Sequence, residues 1–248
     1  MKTDTRLLAG LTELGIPYTD RMLEQLETYY EMMVEKNKVM NLTAVTEKDE
    51  VITKHFLDSL CFAKVYMARR KEAFSPKIID IGTGAGFPGI PLKIFFPEIQ
   101  IVLLDSLQKR IYFLQDVVSA LGLDGISCVH GRAEELSGKA EYREKFDYAV
   151  SRAVARLASL SELCVPFVRE GGQFLAYKSE GATEEIDEAR EALSTLGCKK
   201  VEILSYTIPQ SDLPRKMVVA SKTAPTPAKY PRGGGKPMKQ PIGVKKQN

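Results

Sequence analysis

The chain has 248 residues, 44% of them hydrophobic and 27% charged, which is an ordinary soluble composition with room for one large core and an appendage. It contains no run of about eighteen apolar residues, which excludes a membrane-spanning helix, and its four scattered cysteines and two histidines lack the spacing of a zinc site. The net charge of +3 hides a division: residues 1–212 hold 26 basic and 32 acidic residues, a net of −6, while the last 36 hold nine basic residues and no acidic one, an asymmetry that points to a polyanionic partner met by one edge of the molecule.

The first seventy or so residues are helical by pattern. Leu7, Leu8 and Leu11 form a short stripe that ends at Gly15 and Pro17. Thr19 or Asp20 can cap a second helix, whose apolar positions Met22, Leu23, Leu26, Tyr29, Tyr30, Met33 and Val34 follow the 3.6-residue period. Thr46 is expected to cap a third helix carrying His55, Phe56, Ser59 and Leu60. Residues 1–73 are therefore read as a helical cap. Thr12 and Glu13 interrupt the only apolar run near the start, so no signal peptide is expected.

From residue 74 the rhythm changes to alternating strands and helices. Strands are expected near 77–81, 100–104, 126–130, 146–150, 172–177, 199–207 and 216–221, with helices near 88–95, 107–121, 156–167 and 182–195. Only Pro209 to Pro214 separates the last two strands, too short a link for a parallel crossover, so they should pair antiparallel. The expectation for 74–222 is a mostly parallel, seven-stranded α/β sheet closed by an antiparallel hairpin. Residues 223–248 are rich in Pro, Gly and Lys and read as an extended or mobile basic tail.

The chemistry concentrates at 77–91. The β-branched run Ile78 to Ile81 is followed by alternate glycines at 82, 84 and 86, then by Pro88 and Pro91 where a helix would begin. Strand, glycine turn and helix start form the ligand-holding corner of a doubly wound sheet. Gly84-x-Gly86-x-x-Gly89 fits a dinucleotide fingerprint. Asp80 ahead of the series and the closing hairpin favour S-adenosylmethionine over nicotinamide. Asp105, at the end of the next strand, is placed to hold ribose hydroxyls. Gly82 and Gly84 would let the backbone approach the cofactor, and Ala133 and Glu134 follow the third strand where adenine would lie. Phe87 could pack under the helix or against the cofactor. Arg152, ending the fourth strand, could meet the cofactor carboxylate, a phosphate or a guanine, or pair with an acid such as Glu134.

The chain resembles the ribosomal RNA small subunit methyltransferase G family, also called the glucose-inhibited division protein B family. The matching segments are Asn41-Leu42-Thr43, His55 to Leu60, Asp80 to Pro91, Leu104-Asp105-Ser106 with Lys109-Arg110, Arg132-Ala133-Glu134, Ser151 to Ala155 and Tyr230-Pro231-Arg232, in order along nearly the whole chain. Two departures are visible: Ser179 follows Lys178 where a glycine is usual, and Gly233-Gly234-Gly235-Lys236 replaces a basic residue and a Gly-Thr-Pro step. The resemblance implies a Rossmann-like class I methyltransferase fold and methyl transfer from S-adenosylmethionine to N7 of a guanine in 16S ribosomal RNA. It also favours Phe87 against the cofactor.

Guanine N7 carries no proton, so the reaction calls for alignment and no general base. That agrees with the lack of an obvious catalytic dyad, of an Asn/Asp-Pro-Pro-Tyr signature and of a Pro-Cys nucleophile. Lys229, Tyr230, Arg232, Lys236 and Lys239 are read as an RNA-backbone arm, whose removal should spare cofactor binding. The partner implied is small-subunit rRNA or the ribosomal small subunit, met by a cytoplasmic monomer without a metal. The alternatives are a non-catalytic RNA-binding or ribosome-assembly factor that keeps the pocket, and a methyltransferase acting on a small molecule or protein.

Overall fold

A computed structural model describes residues 1–2, 4–69 and 75–244. The expected boundary at 73/74, and Lys245 and Lys246 of the basic tail, lie outside the described residues. Helix α1 (Thr5–Glu13) is opened by Asp4, whose carboxylate accepts the Leu7 N–H at 2.9 Å. Thr19 caps α2 (Asp20–Met40) in the same way through Met22 N–H, and α2 stops where Asn41 turns left-handed at φ 48°. The third helical run comprises α3 (Lys48–Val51), a π-helical turn (Ile52–Leu57) and α4 (Asp58–Leu60), followed by α5 (Ala63–Tyr66). Thr46 does not cap it. Glu47 stands at that position without a side-chain bond, and the Thr46 carbonyl accepts the Tyr30 hydroxyl instead.

The strands are β1 (Lys77–Ile81), β2 (Gln100–Asp105), β3 (Ile126–His130), β4 (Phe146–Arg152), β5 (Val168–Ser179), β6 (Cys198–Thr207) and β7 (Pro214–Lys222). Between and after them come α6 (Gly89–Phe95), α7 (Gln108–Leu121), α8 (Ala133–Leu136), α9 (Leu157–Cys164), α10 (Thr183–Glu188), α11 (Arg190–Thr195) and α12 (Lys236–Lys239). They form one seven-stranded sheet of order β3-β2-β1-β4-β5-β7-β6. All pairs are parallel except those of β7, which runs antiparallel to both β5 and β6. The expected α/β architecture, with its closing hairpin, is what the chain adopts. Strand order reverses between β1 and β4, so the crevice beyond their carboxyl ends is the place where such a sheet receives a ligand.

Side chains alternate across the sheet as the strand period requires. Ile78, Ile101, Leu103, Tyr148, Val150, Leu175 and Tyr177 face one core, and Ile79, Ile81, Leu104, Ala149, Phe174 and Ala176 face the other. The first core also contains Leu7, Leu23, Tyr29, Phe56, Phe62 and Tyr66 from the helices before residue 70. The N-terminal helices therefore do not build a separate core; together with α6 and α7 they are the layer that covers this face.

Residues 223–244 differ from the expected mobile tail. Arg143 donates to the carbonyls of Thr226 at 2.8 Å and Tyr230 at 3.0 Å. Glu144 accepts from Lys222 Nζ and from Thr226 N–H, both at 2.7 Å. Arg232 reaches the buried Glu162 through its backbone N–H at 2.7 Å, Nε at 2.9 Å and Nη2 at 2.6 Å. Pro237 and Ile242 are buried as well. Composition suggested an arm because no apolar periodicity exists here. The segment is held by charged groups of the domain, the buried Glu162 and the half-buried Arg143 and Glu144, which take its backbone and its arginine as partners.

Candidate active site

The loop after β1 is set by backbone bonds: Gly82 N–H and Thr83 N–H both donate to the Leu104 carbonyl, at 2.8 and 3.1 Å. From the helical layer, the Tyr29 hydroxyl donates to the Ala85 carbonyl at 2.7 Å. Gly82 (φ 69°) and Gly84 (φ 63°) occupy the left-handed region that glycine enters without strain. At Gly84 a Cβ would meet nothing nearer than the Gly82 carbonyl oxygen at 3.9 Å, which leaves the loop open to a ligand. At Gly82 it would run into Val154, whose Cγ2 stands 2.5 Å away.

Asp80 is fully buried beneath this loop. Its Oδ2 accepts the Thr83 hydroxyl at 2.7 Å and the Gly89 N–H at 2.9 Å, while Oδ1 has no partner among the described residues. Burial pushes its carboxyl up to about 7, against the opposing bonds from Thr83 and Gly89 and the charge of Arg152. A carboxyl raised on folding favours the protonated native state, so its stabilising contribution is complete below the ordinary range near 4 and is lost as pH rises through about 7. The melting temperature should therefore fall between pH 5 and 8, an effect of up to a few kcal/mol. Asp80→Asn should flatten that slope in a melting series across the same range; an unchanged slope would place the titration elsewhere.

Asp105 ends β2 and is 3% exposed. Oδ1 accepts Leu107 N–H at 2.9 Å; Oδ2 accepts Gly84 N–H at 3.0 Å and Arg110 Nη1 at 3.2 Å. An ionised carboxylate has about four acceptor positions, so these three leave one, and the partly exposed Arg110 is a partner that can be exchanged. Beside Asp105 lies a cavity of about 180 Å³ bounded by Gly82, Ser106, Gly131, Ala133, Glu134, Val154 and Leu163. A further part of its wall comes from the tail: Gly235, Pro237 and Met238.

On the other side of Gly82 a cleft of about 650 Å³ opens, lined by Thr43, His55, Gly84, Phe87, Arg152 and Arg215 among others. Arg152 crosses it to the helical layer. Its Nη1 donates to Asp58 Oδ2 at 3.0 Å and to the Lys54 carbonyl at 2.9 Å, and its Nη2 lies 3.2 Å from His55 Nδ1. The guanidinium sits 5.0 Å above the Phe87 ring, and His55 stacks on the same ring at 4.5 Å. Burial, and then the neighbouring Arg152, pull the His55 imidazole down to about 3, so it is neutral near pH 7. Its Nδ1 lies between Arg152 Nη2 at 3.2 Å and the Lys54 carbonyl at 3.1 Å, and its Nε2 is 2.8 Å from Thr43 Oγ1. Lys178 also lines the cleft and is held by Glu185 at 2.5 Å and the Ala155 carbonyl at 2.8 Å.

Gly82, Asp105, Ala133 and Glu134 thus share the smaller cavity, and Gly82, Gly84, Phe87 and Arg152 share the cleft. Arg152 does pair with an acid, but the acid is Asp58, not Glu134. Phe87 packs against Tyr29 and Phe56 and also lines the cleft. In the tail, Lys229, Lys236 and Lys239 are exposed, Tyr230 is half-buried, and Arg232 is committed to Glu162. His55, Asp58 and Thr43 belong to the cleft although composition gave no reason to select them. The segments that contain them were the available signal. Met238 and Pro237 carried no signal at all.

A family model described as rRNA small subunit methyltransferase G matches residues 22–213. A curated relative of that description from Lachnoclostridium phytofermentans is 50% identical over 99% of this chain and 100% of its own length. Another from Alkaliphilus metalliredigens is 48% identical over 98% and 100%. Among solved structures, a SAM-dependent O-methyltransferase from Thermotoga maritima shares the fold with a TM-score of 0.51 and 16% identity, over 79% of this chain and 72% of that one.

Proposed function

The chain belongs to the rRNA small subunit methyltransferase G family, and from that premise we propose that it transfers a methyl group from S-adenosylmethionine to N7 of a guanine in 16S rRNA. The observation that carries this reading is the meeting of two unlike cavities at Gly82. One is narrow and ends at the Asp105 carboxylate; the other is wide and bordered by Lys54, Arg110, Arg152, Lys178 and Arg215. A long cofactor lying across Gly82 fits them. Its ribose would take the exchangeable acceptor positions of Asp105, its adenine would lie along Gly131 to Glu134, and its amino-acid end would enter beside Gly84. Val154, 38% exposed and resting on Gly82, is the side chain that would shift to admit it.

When bound, S-adenosylmethionine supplies an electrophilic methyl group on a sulfonium. The residues of the chain then have to place a nucleophile in line with it. Guanine N7 presents a lone pair and no proton, so no side chain has to accept one. His55 is poorly suited to do so, being buried, paired through both ring nitrogens and pulled down to about 3. The Phe87–His55 stack and the Arg152 fork form a rigid wall that fixes orientation, which is the dominant contribution open to such a site. The cationic rim would hold phosphates. We further infer that the protein acts as a monomer in the cytoplasm, on the ribosomal small subunit or its RNA.

The test is methylation of 16S rRNA by purified protein with labelled cofactor, followed by mapping of N7-methylguanine. Label at one guanine N7 is the expected result; label on an exocyclic amine or a pyrimidine carbon would overturn the reading. A second expected outcome concerns the exposed tail cations. Changing Lys229, Lys236 and Lys239 together to Gln should raise KM for RNA and reduce the salt dependence of binding by about two to three phosphate contacts. A salt slope equal to wild type would show that these lysines face away from the RNA.

A further inference from the structure

Gly235, Pro237 and Met238 stand against the same cavity as Asp105, Ser106 and Gly131 to Glu134. This placement is built. Arg232 is fastened to Glu162, a carboxylate with no exposure, and also donates through Nη2 to the Gln240 carbonyl at 2.7 Å, bracketing α12 between two fixed points. α12 rests on α9, whose Leu163 lines the cavity too. Gly234 and Gly235, at φ 69° and 71°, turn the backbone into the cavity wall, which gives the Gly233-Gly234-Gly235 departure a physical role. Pro237 is buried, whereas Met238 keeps 54% of its surface exposed although it is a large apolar side chain. A flexible thioether left half-open at a cavity mouth suits the face of a planar heterocycle. The cavity, at about 180 Å³, is also smaller than the roughly 300 Å³ or more usual for a small-molecule site, so partly exposed side chains at its wall, Val154 and Met238, have to shift when a ligand enters.

We propose that residues 235–238 are a wall of the adenosine subsite, with Met238 against the base, so that the basic tail sets cofactor affinity as well as meeting RNA. The inference rests on the reading of this cavity as the adenosine end of a cofactor site. It reverses the expectation that the tail can be removed without effect on cofactor binding. A chain in which RNA engages the exposed lysines on either side of Met238 would thereby couple substrate contact to closure over the cofactor.

The chain has no tryptophan, so Met238→Trp places a single indole at the proposed contact. Titration of the full-length variant with S-adenosylhomocysteine should change its emission saturably, with a midpoint that agrees with calorimetry. Met238→Glu, which sets a carboxylate beside Glu134 and Asp105, should weaken S-adenosylhomocysteine and adenosine alike by about tenfold while the apo melting temperature stays at the wild-type value. A variant ending at Gly234 should lose at least as much affinity, and if its fold is compromised the single substitutions decide. If wild type binds S-adenosylhomocysteine while the indole is silent and Met238→Glu binds unchanged, the tail is not a wall of the subsite and the inference falls alone. If wild type does not bind S-adenosylhomocysteine, the cofactor reading itself falls.

Discussion

Asp105→Ala should lower the affinity for S-adenosylhomocysteine by about a hundredfold, measured by calorimetry on the folded variant. Hydrogen bonds to a charged group contribute roughly 1.5–3 kcal/mol each, and two ribose hydroxyls on one carboxylate give the upper part of that range even after the exchange of Arg110. The substitution also strands the N–H groups of Gly84 and Leu107, which Asp105 now satisfies, so a smaller loss of stability should accompany it. Asp105→Asn separates the two effects. It retains an acceptor for the loop and loses the charge, so affinity should fall while the melting temperature stays closer to wild type. Full affinity in the alanine variant would mean that the ribose lies elsewhere.

Arg152→Ala should cost about 3–5 kcal/mol in denaturant unfolding and abolish methyl transfer. Removing one partner of a buried ion pair leaves the other uncompensated. Asp58 is 4% exposed and, among the described residues, would keep the Tyr206 hydroxyl at 3.4 Å and Arg215 at 3.8 Å as side-chain partners. Arg152→Lys restores a positive charge but cannot form a planar fork to Asp58, the Lys54 carbonyl and His55 together. It should recover part of the stability and little of the activity. The His55 imidazole offers an independent reading: without Arg152 one of the causes holding it down is gone, so its titration by NMR should move upward from about 3. A denaturation midpoint equal to wild type in the alanine variant would remove Arg152 from the centre of this wall.

The parts of the fold that the sequence made legible are those whose signal is local. Ile78 to Ile81 reads as a buried strand because β-branched residues fill both faces, and the short Pro209–Pro214 link could only return antiparallel. Asp80, Gly82, Gly84 and Asp105 declared the site because each is a departure from the strand or helix around it. Long-range pairing left no such trace. Arg152 and Asp58 stand 94 residues apart, and nothing in either neighbourhood names the other. Arg232 and Glu162 are 70 residues apart, and Glu162 lies in a helix whose pattern gives no hint of a buried acid. The tail was therefore read by composition, which reports what a segment can bury by itself and not what a distant carboxylate will recruit. The helical cap shows the same division between local and long-range signals. Periodicity shows that α2 has an apolar face but not which layer receives it.

The bond from the Tyr29 hydroxyl to the Ala85 carbonyl has a further consequence. The glycine loop has few side chains of its own, and part of its rigidity is borrowed from a helix 56 residues earlier in the chain. Removing that bond by Tyr29→Phe should therefore loosen the loop at Ala85, read as faster amide exchange at residues 84–87, while the bonds from Gly82 and Thr83 to the Leu104 carbonyl remain. Through that link, a gain or loss of packing among Leu23, Leu26, Tyr29 and Met33 reaches the place where the methyl group would be transferred.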